Sequence, residues 1–169
     1  MELNILPILN FDGKRMELNE SVEVQPLKED IFEVLDPVSV KGQIVNIGGT
    51  LSLDAKCQAK LRFFCDRCME PFEKEVQFEI AERFRKEDAF NDGIEENPDI
   101  LPLSGSMIDL SDLVYHNLFM NLPTKHLCRE ECKGLCPMCG MNLNHGVCSC
   151  DARPVDPRFE VLDSLLKDE

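Results

Sequence analysis

The feature that most constrains this chain is a run of closely spaced cysteines near its C-terminal end. Six of the nine cysteines fall between positions 128 and 150, in the stretch C-R-E-E-C-K-G-L-C-P-M-C-G-M-N-L-N-H-G-V-C-S-C. Two thiolates separated by two residues, as in Cys136-Pro137-Met138-Cys139, can hold one metal ion because the turn between them brings both sulfurs to the same side. Buried thiols or disulfides are the alternative, but scattered cysteines seldom pair up at this spacing. The stretch therefore predicts a metal site.

The spacing of all nine cysteines suggests how the ligands are shared. Cys57 lies in a strand pattern and points toward the core, so we take it as the odd thiol. Our first choice is one Zn²⁺ held by Cys136, Cys139, Cys148 and Cys150, and a candidate second ion is held by Cys65, Cys68, Cys128 and Cys132. A rival single site uses Cys132 in place of Cys150. His145 ranks low as a ligand because its spacing differs from that of the zinc knuckle.

Each of these arrangements is a closed site. Four protein ligands leave no coordination position for water, so the metal would supply folding free energy and not catalysis. We therefore expect a protein that is not an enzyme and has no small-molecule substrate.

Alternating hydrophobicity upstream of the cysteines predicts an antiparallel sheet. Apolar residues alternate with polar ones over positions 38–44 and 51–63, and Gly48-Gly49 between them predicts a hairpin turn. Positions 72–84 alternate again, so Cys65 and Cys68 should lie at the tip of a second hairpin. On its polar face we expect Arg62 opposite Glu75 and Lys60 opposite Gln77, which would neutralise part of the basic stripe formed by Lys56, Lys60 and Arg62.

The remaining segments complete a prediction of class α+β. Residues 2–9 resemble an edge strand interrupted by Pro7. An acidic, exposed connection over 85–106 precedes an amphipathic helix over 108–122. A capping pattern that begins at Ser106 marks the start of this helix, and His116 belongs to its polar face. A second helix starts at Pro157. We expect a mainly antiparallel sheet or partly closed barrel over 1–122, covered by one or two helices, and a small Cys-rich zinc-binding segment with the C-terminal helix over 123–169.

Charge and hydropathy restrict the partners. A formal net charge of −14 repels phosphate backbones at long range, so a basic protein partner fits more easily than nucleic acid. There is no leader pattern and no apolar run of about 18 residues, the length that a membrane helix needs. We expect a cytoplasmic protein without membrane contact.

With these motifs in view, the chain resembles the YceD family, the bacterial large ribosomal RNA subunit accumulation proteins, in the form found in Gram-positive bacteria. The resemblance rests on C-D-R-C-M-E-P-F at 65–72, I-D-L at 108–110, C-K-G-L-C-P-M-C-G-M-N-L-N at 132–144, the following C-S-C, and P-V-D-P-R-F at 154–159. It implies a non-enzymatic factor needed for large-subunit ribosomal RNA to accumulate. Its partner would be a ribosomal protein or a pre-ribosomal large-subunit particle, with direct RNA contact left open.

Two other functions remain as alternatives. A zinc-ribbon module could bind RNA through basic residues in the C-terminal part of the chain, namely Lys125, Arg129, Lys133, Arg153 and Arg158. A thiol redox or metal-handling protein would use Cys65 and Cys68, but that chemistry favours a CxxC motif at the start of a helix, and no helical pattern follows here.

Overall fold

A computed structural model of the chain describes residues 1–25, 31–87 and 99–150. It confirms the α+β class, with a curled half-barrel sheet and two helices in the described residues. The strands are β1 (Glu2–Asn4), β2 (Arg15–Val22), β3 (Phe32–Val34), β4 (Val38–Ile47), β5 (Thr50–Phe64), β6 (Pro71–Lys86), β7 (Ile100–Leu103) and β8 (Met107–Asp109), and the helices are α1 (Leu6–Leu9) and α2 (Leu110–Met120).

The main sheet has the order β2-β4-β5-β6-β7, and β3 also pairs with β5. All of its pairs are antiparallel except β6 with β7, which run parallel. The two-residue turn between β4 and β5 has positive φ at both Gly48 and Gly49, as the predicted hairpin requires. β1 and β8 form a separate two-stranded sheet.

The long hairpin of β5 and β6 has a register different from the one expected. Arg62 lies opposite Glu73 and Lys60 opposite Glu75, because the connection over residues 65–70 places Phe64 opposite Pro71. The polar faces still lie on the same side of the sheet. Lys56 forms an ion pair with Glu79, and Lys60 forms one with Glu73. Arg62 pairs with both Glu33 and Glu73. The basic stripe is thus neutralised in part, as predicted, although by other partners.

The core lies on one side of this sheet. It contains the inward-facing residues of β5 that the alternation predicts, namely Leu51, Leu53, Ala55, Cys57, Ala59, Leu61 and Phe63. Helix α2 covers them with Leu110, Val114 and Leu118, which are fully buried. Burial of one such side chain contributes about 1.5–3 kcal/mol, so α2 is held mainly by this apolar face.

Three segments differ from the sequence-based prediction. Residues Leu6–Leu9 form a short helix, with Pro7 in its first turn where a missing N–H costs no hydrogen bond. Helix α2 begins at Leu110, because Met107–Asp109 pair with the N-terminal strand, and Asp109 replaces Ser106 as the cap. The connection expected over 85–106 is shorter, since β6 extends to Lys86 and β7 lies within it.

Parts of the prediction fall on residues that the structure does not describe. These are 88–98 of the acidic connection and the helix expected from Pro157. Within the described residues, neither helix has the length and apolar character needed to cross a membrane.

Candidate metal centres

The first cysteine pair lies at the tip of the β5–β6 hairpin. The N–H of Cys65 donates to the carbonyl of Glu70 (2.9 Å), and the N–H of Met69 donates to the carbonyl of Cys65 (2.8 Å). These two bonds close a tight turn in which Met69 has a φ of 61°, an unusual value for a residue with a side chain. The turn directs the sulfurs of Cys65 and Cys68 to one side of the hairpin tip.

Four sulfurs meet at this tip in what we call the inner group: Cys65, Cys68, Cys128 and Cys132, all within 4.8 Å of one another. The Sγ atoms of Cys65 and Cys132 are 3.7 Å apart, as are those of Cys68 and Cys128. Four sulfurs about 2.3 Å from a tetrahedral zinc ion lie about 3.8 Å from one another. A disulfide needs about 2 Å, and all nine cysteines are free thiols. The geometry fits a metal ion and excludes the disulfide alternative.

Hydrogen bonds fasten the chain after α2 to the hairpin tip. Asp66 and His126 exchange two of them, from the N–H of Asp66 to the carbonyl of His126 (2.8 Å) and from the N–H of His126 to Oδ2 of Asp66 (2.7 Å). Arg67 donates from Nη1 to the carbonyl of Cys132 (2.9 Å), and its own carbonyl accepts from the N–H of Leu135 (3.0 Å). The inner group is therefore built jointly by the sheet and by residues 126–135.

Two members of the inner group, Cys65 and Cys132, favour the thiolate, the form that binds metals. Burial alone would raise the pKa of Cys65, but the N–H groups of Cys128, Arg67 and Cys68 are directed at its sulfur and lower the pKa to about 6. The pKa of Cys132 is lowered chiefly by the side-chain amide of Asn144, whose Nδ2 lies 3.2 Å from its sulfur. These donors prepare negative charge where a cation would bind.

A second set of four sulfurs, the outer group, comprises Cys136, Cys139, Cys148 and Cys150, also within 4.8 Å of one another. Its first turn is closed by the N–H of Gly140 donating to the carbonyl of Cys136 (2.9 Å), with Gly140 at a φ of 72°. The N–H groups of Cys139 and Met138 lower the pKa of Cys136 to about 6. Unlike the inner group, this one has two exposed members, Cys139 and Cys150.

The loop of the outer group contacts the inner group directly. Asn144 donates to the sulfur of Cys132, and its Oδ1 accepts from the N–H of Lys133 (2.9 Å). Next to it, Nε2 of His145 lies 2.6 Å from Oε1 of Glu70 on the hairpin tip. His145 therefore contacts a carboxylate and belongs to neither sulfur group. Cys132 lies in the inner group, so the rival set with Cys132 in place of Cys150 has no support in the geometry.

The other candidate residues take varied positions. His116 is exposed on α2 beside Asp112, and Cys57 is buried in the sheet core, where burial raises its pKa to about 11. Lys125, Arg129 and Lys133 are exposed, whereas Arg153 and Arg158 lie outside the described residues. Sequence reasoning missed the bonds made by Asp66, Arg67 and Asn144, because each joins residues distant in sequence and follows no local pattern.

Comparison with known proteins gives a relationship over most of the chain. The model of the family described as "Large ribosomal RNA subunit accumulation protein YceD" matches residues 53–166. Similar proteins from Mycobacterium bovis and from two strains of Mycobacterium tuberculosis, each described as uncharacterized, are 30% identical over 111 residues. That alignment covers 62% of this chain and 50% of each relative, so the chain spans about half the length of the curated relatives it matches.

No solved structure matches the chain. The family match includes the cysteine hairpin, α2 and both sulfur groups, which are the parts on which the sequence resemblance was based. The chain belongs to the YceD family of large ribosomal RNA subunit accumulation proteins.

Proposed function

We propose that this protein is a non-catalytic, cytoplasmic factor that supports large-subunit ribosomal RNA accumulation and ribosome assembly by binding a basic ribosomal protein or a pre-ribosomal particle. The family match carries this proposal, because membership suggests a role in ribosomal RNA accumulation. The acidic surface and the two sulfur groups support the manner in which it acts.

Both sulfur groups are proposed to bind Zn²⁺ as structural sites. Sets of four cysteines favour zinc or an iron–sulfur centre among biological metals, and a tetrahedral zinc bound by four thiolates has no position left for a reacting water. At the hairpin tip, β6 follows Cys68 directly, so no helix dipole is available for the CxxC redox chemistry considered above. The metals would stabilise the fold and leave recognition to the surface.

Elemental analysis of the purified chain tests the metal assignment. We expect two zinc ions per chain, one for each group of four sulfurs. Cys65→Ser should remove the inner ion and Cys139→Ser the outer one, whereas Cys57→Ala, which alters a core thiol outside both groups, should retain both. Bound iron in place of zinc, or full zinc content in the Cys65→Ser variant, would contradict the assignment.

The acidic surface that we propose for partner binding includes the edge strand β2. Glu17 and Glu20 on this strand, and Glu23 just after it, are exposed. None of the three forms an ion pair within the described part of the chain. This contrasts with Glu73 and Glu79, which neutralise lysines of the sheet. Unpaired carboxylates along an edge attract a basic partner, with an attraction that salt weakens.

Co-sedimentation with large-subunit precursors tests this proposal. The wild-type chain should sediment with precursor particles at low salt, and the triple variant Glu17→Lys, Glu20→Lys, Glu23→Lys should remain in the free fractions. A matched variant with the same charge change at scattered exposed sites, Glu2→Lys, Asp36→Lys, Asp54→Lys, should still sediment. A wild-type chain that stays free at every salt concentration would refute the proposed function.

A further inference from the structure

A small cavity lies between the hairpin end of the sheet and the chain that follows α2. Its volume is about 200 Å³. The sheet contributes Phe63, Phe72 and Lys74, and the segment after α2 contributes Pro123, Lys125, His126, Leu127, Arg129 and Glu130. The two walls come from parts of the sequence more than 45 residues apart, so only the tertiary structure brings them together.

The rim of this cavity is cationic, although the chain as a whole is strongly acidic. Lys74, Lys125 and Arg129 are exposed, and none has an ion-pair partner within the described ranges. Lys60 and Arg62, also toward the hairpin end of β5, are by contrast held by Glu73. One carboxylate, that of Glu130, also lines the cavity. Among the described residues, the lining thus carries three cations against one carboxylate, which leaves it net positive.

His126 adds an unsatisfied polar atom to the wall. Its side chain is only 8% exposed, and the ring stacks on Phe63 with centroids 4.6 Å apart and an angle of 26° between the planes. Its Nε2 is buried and has no hydrogen-bond partner among the residues that the structure describes. A buried polar atom without a partner is destabilising, and such atoms are rare in folded proteins. The cost is offset if a ligand supplies the missing partner.

We propose that this cavity binds a phosphate group of single-stranded RNA, with Lys74, Lys125 and Arg129 pairing to the phosphate oxygens and His126 donating a hydrogen bond. Whole small-molecule ligands occupy pockets of about 300–1,000 Å³, so this cavity suits one group of a longer ligand better than a free metabolite. The inference rests on the proposed function, which makes ribosomal RNA the available phosphate polymer. The protein would then contact RNA at this cavity and a basic protein at the acidic edge of β2.

Fluorescence anisotropy tests the inference on the full chain with its metals bound. The probe is a labelled single-stranded RNA of about 12 nucleotides, a length within the usual site size of single-strand-binding domains. Affinity should fall with salt for the wild type. Lys74→Ala, Lys125→Ala and Arg129→Ala should each weaken binding to unrelated sequences alike and reduce the slope of log K against log salt by about 1. His126→Phe keeps the stacked ring and should also bind RNA more weakly.

The matched control is the triple variant Arg15→Ala, Lys41→Ala, Arg83→Ala. It removes three exposed cations away from the hairpin tip and changes the net charge as much as all three rim substitutions together. It should bind RNA as the wild type does. Equal losses in the control and rim triple variants would show general electrostatics and overturn the inference. Rim variants that bind RNA normally but lose zinc would also overturn the inference, because the cations would then stabilise the nearby thiolates and not bind RNA.

Competition distinguishes the source of the phosphate. A nucleoside monophosphate should displace the RNA only at far higher concentration than unlabelled RNA, and equal potency would overturn the RNA assignment. The two proposals fail separately. A chain that sediments with precursor particles while its rim variants bind RNA normally retains the proposed function and loses this inference. If the chain never sediments with precursor particles, the proposed function is refuted, whatever the RNA-binding result.

Discussion

At the scale of single residues, the nine thiols of this chain differ in their surroundings. Cys57 is surrounded by apolar side chains, and burial raises its pKa to about 11, so it stays a neutral core thiol. The sulfurs of Cys65 and Cys136 accept hydrogen bonds from backbone N–H groups, and these bonds lower the pKa of each thiol to about 6. Cys57 thus differs from Cys65 and Cys136 in the donors around its sulfur.

Asn144 is the residue that connects the two sulfur groups, and its removal should weaken the inner one. Asn144→Ala deletes the amide that donates to Cys132 Sγ and the carbonyl that accepts from Lys133 N–H. Loss of such an outer partner typically lowers metal affinity about 10- to 100-fold. Chelator competition on the metal-loaded chain measures this loss. Asn121→Ala, at the exposed end of α2, is the control, and equal affinity in both variants would show that Asn144 has no such role.

At the scale of elements, helix α2 and the β5–β6 hairpin hold the site in place. Helix α2 closes the core through Leu110, Val114 and Leu118, and the chain after it reaches the hairpin tip. At its start, Asp109 accepts from the N–H groups of Ser111 (3.0 Å) and Asp112 (3.3 Å). The N-terminal ammonium lies 3.6 Å from the same carboxylate, so the cap also joins the first strand to the helix.

Asp109→Ala should lower the free energy of unfolding by about 1 kcal/mol at pH 7, the usual value of a helix cap. The N–H of Asp112, the N-terminal ammonium and the N–H of Ser111 lower the folded-state pKa of Asp109 below its ordinary value of 3.8. The contribution is therefore present above about pH 4 and lost as pH falls through the folded pKa. Urea titrations at several pH values measure this, and the difference in free energy of unfolding between the variant and the wild type should become smaller in acid.

Two substitutions serve as comparisons for the cap. Asp109→Asn retains an acceptor oxygen and should cost less than Asp109→Ala. Asp36→Ala removes an exposed carboxylate outside the helices and should have little effect. A deficit for Asp109→Ala that stays constant from pH 7 to pH 2 would show that the carboxylate charge is not what stabilises the helix.

At the scale of the whole molecule, the sulfur groups replace a hydrophobic core in the C-terminal part. The main core is formed by the sheet and its helices. The cluster at the hairpin tip contains only the buried thiols of Cys65, Cys68 and Cys132, packed against Phe72, Leu127 and Cys128. Because so little apolar surface gives weak stabilisation, we expect bound metal to supply much of the free energy that holds residues 123–150.

Metal removal should therefore unfold this part selectively. With a chelator in mild denaturant, amide hydrogen exchange should accelerate at residues 123–150 and at the hairpin tip, while β4, β5 and β6 stay protected near their centres. A chelator already saturated with zinc is the control and should change nothing. Unchanged protection of residues 123–150 after complete metal removal would show that packing alone is sufficient.

The amino-acid sequence by itself determined the local features of this protein. Alternation defined the inward face of β5 from Leu51 to Phe63, because a strand has a side-chain period of two whatever its neighbours are. Cysteine spacing identified the four close pairs, and the motifs around them identified the family. These signals were readable because each depends on residues close together in the chain.

Only the tertiary structure decided how distant parts meet. Alternation specifies the face of a strand but not its register, so the pairing of Arg62 with Glu73 followed from the length of the hairpin tip. The union of Cys65 and Cys68 with Cys128 and Cys132, and the meeting of Lys74 with Lys125 and Arg129, depend on the path of the chain after α2. No short-range pattern encodes that path, because it results from packing the helix over the whole sheet.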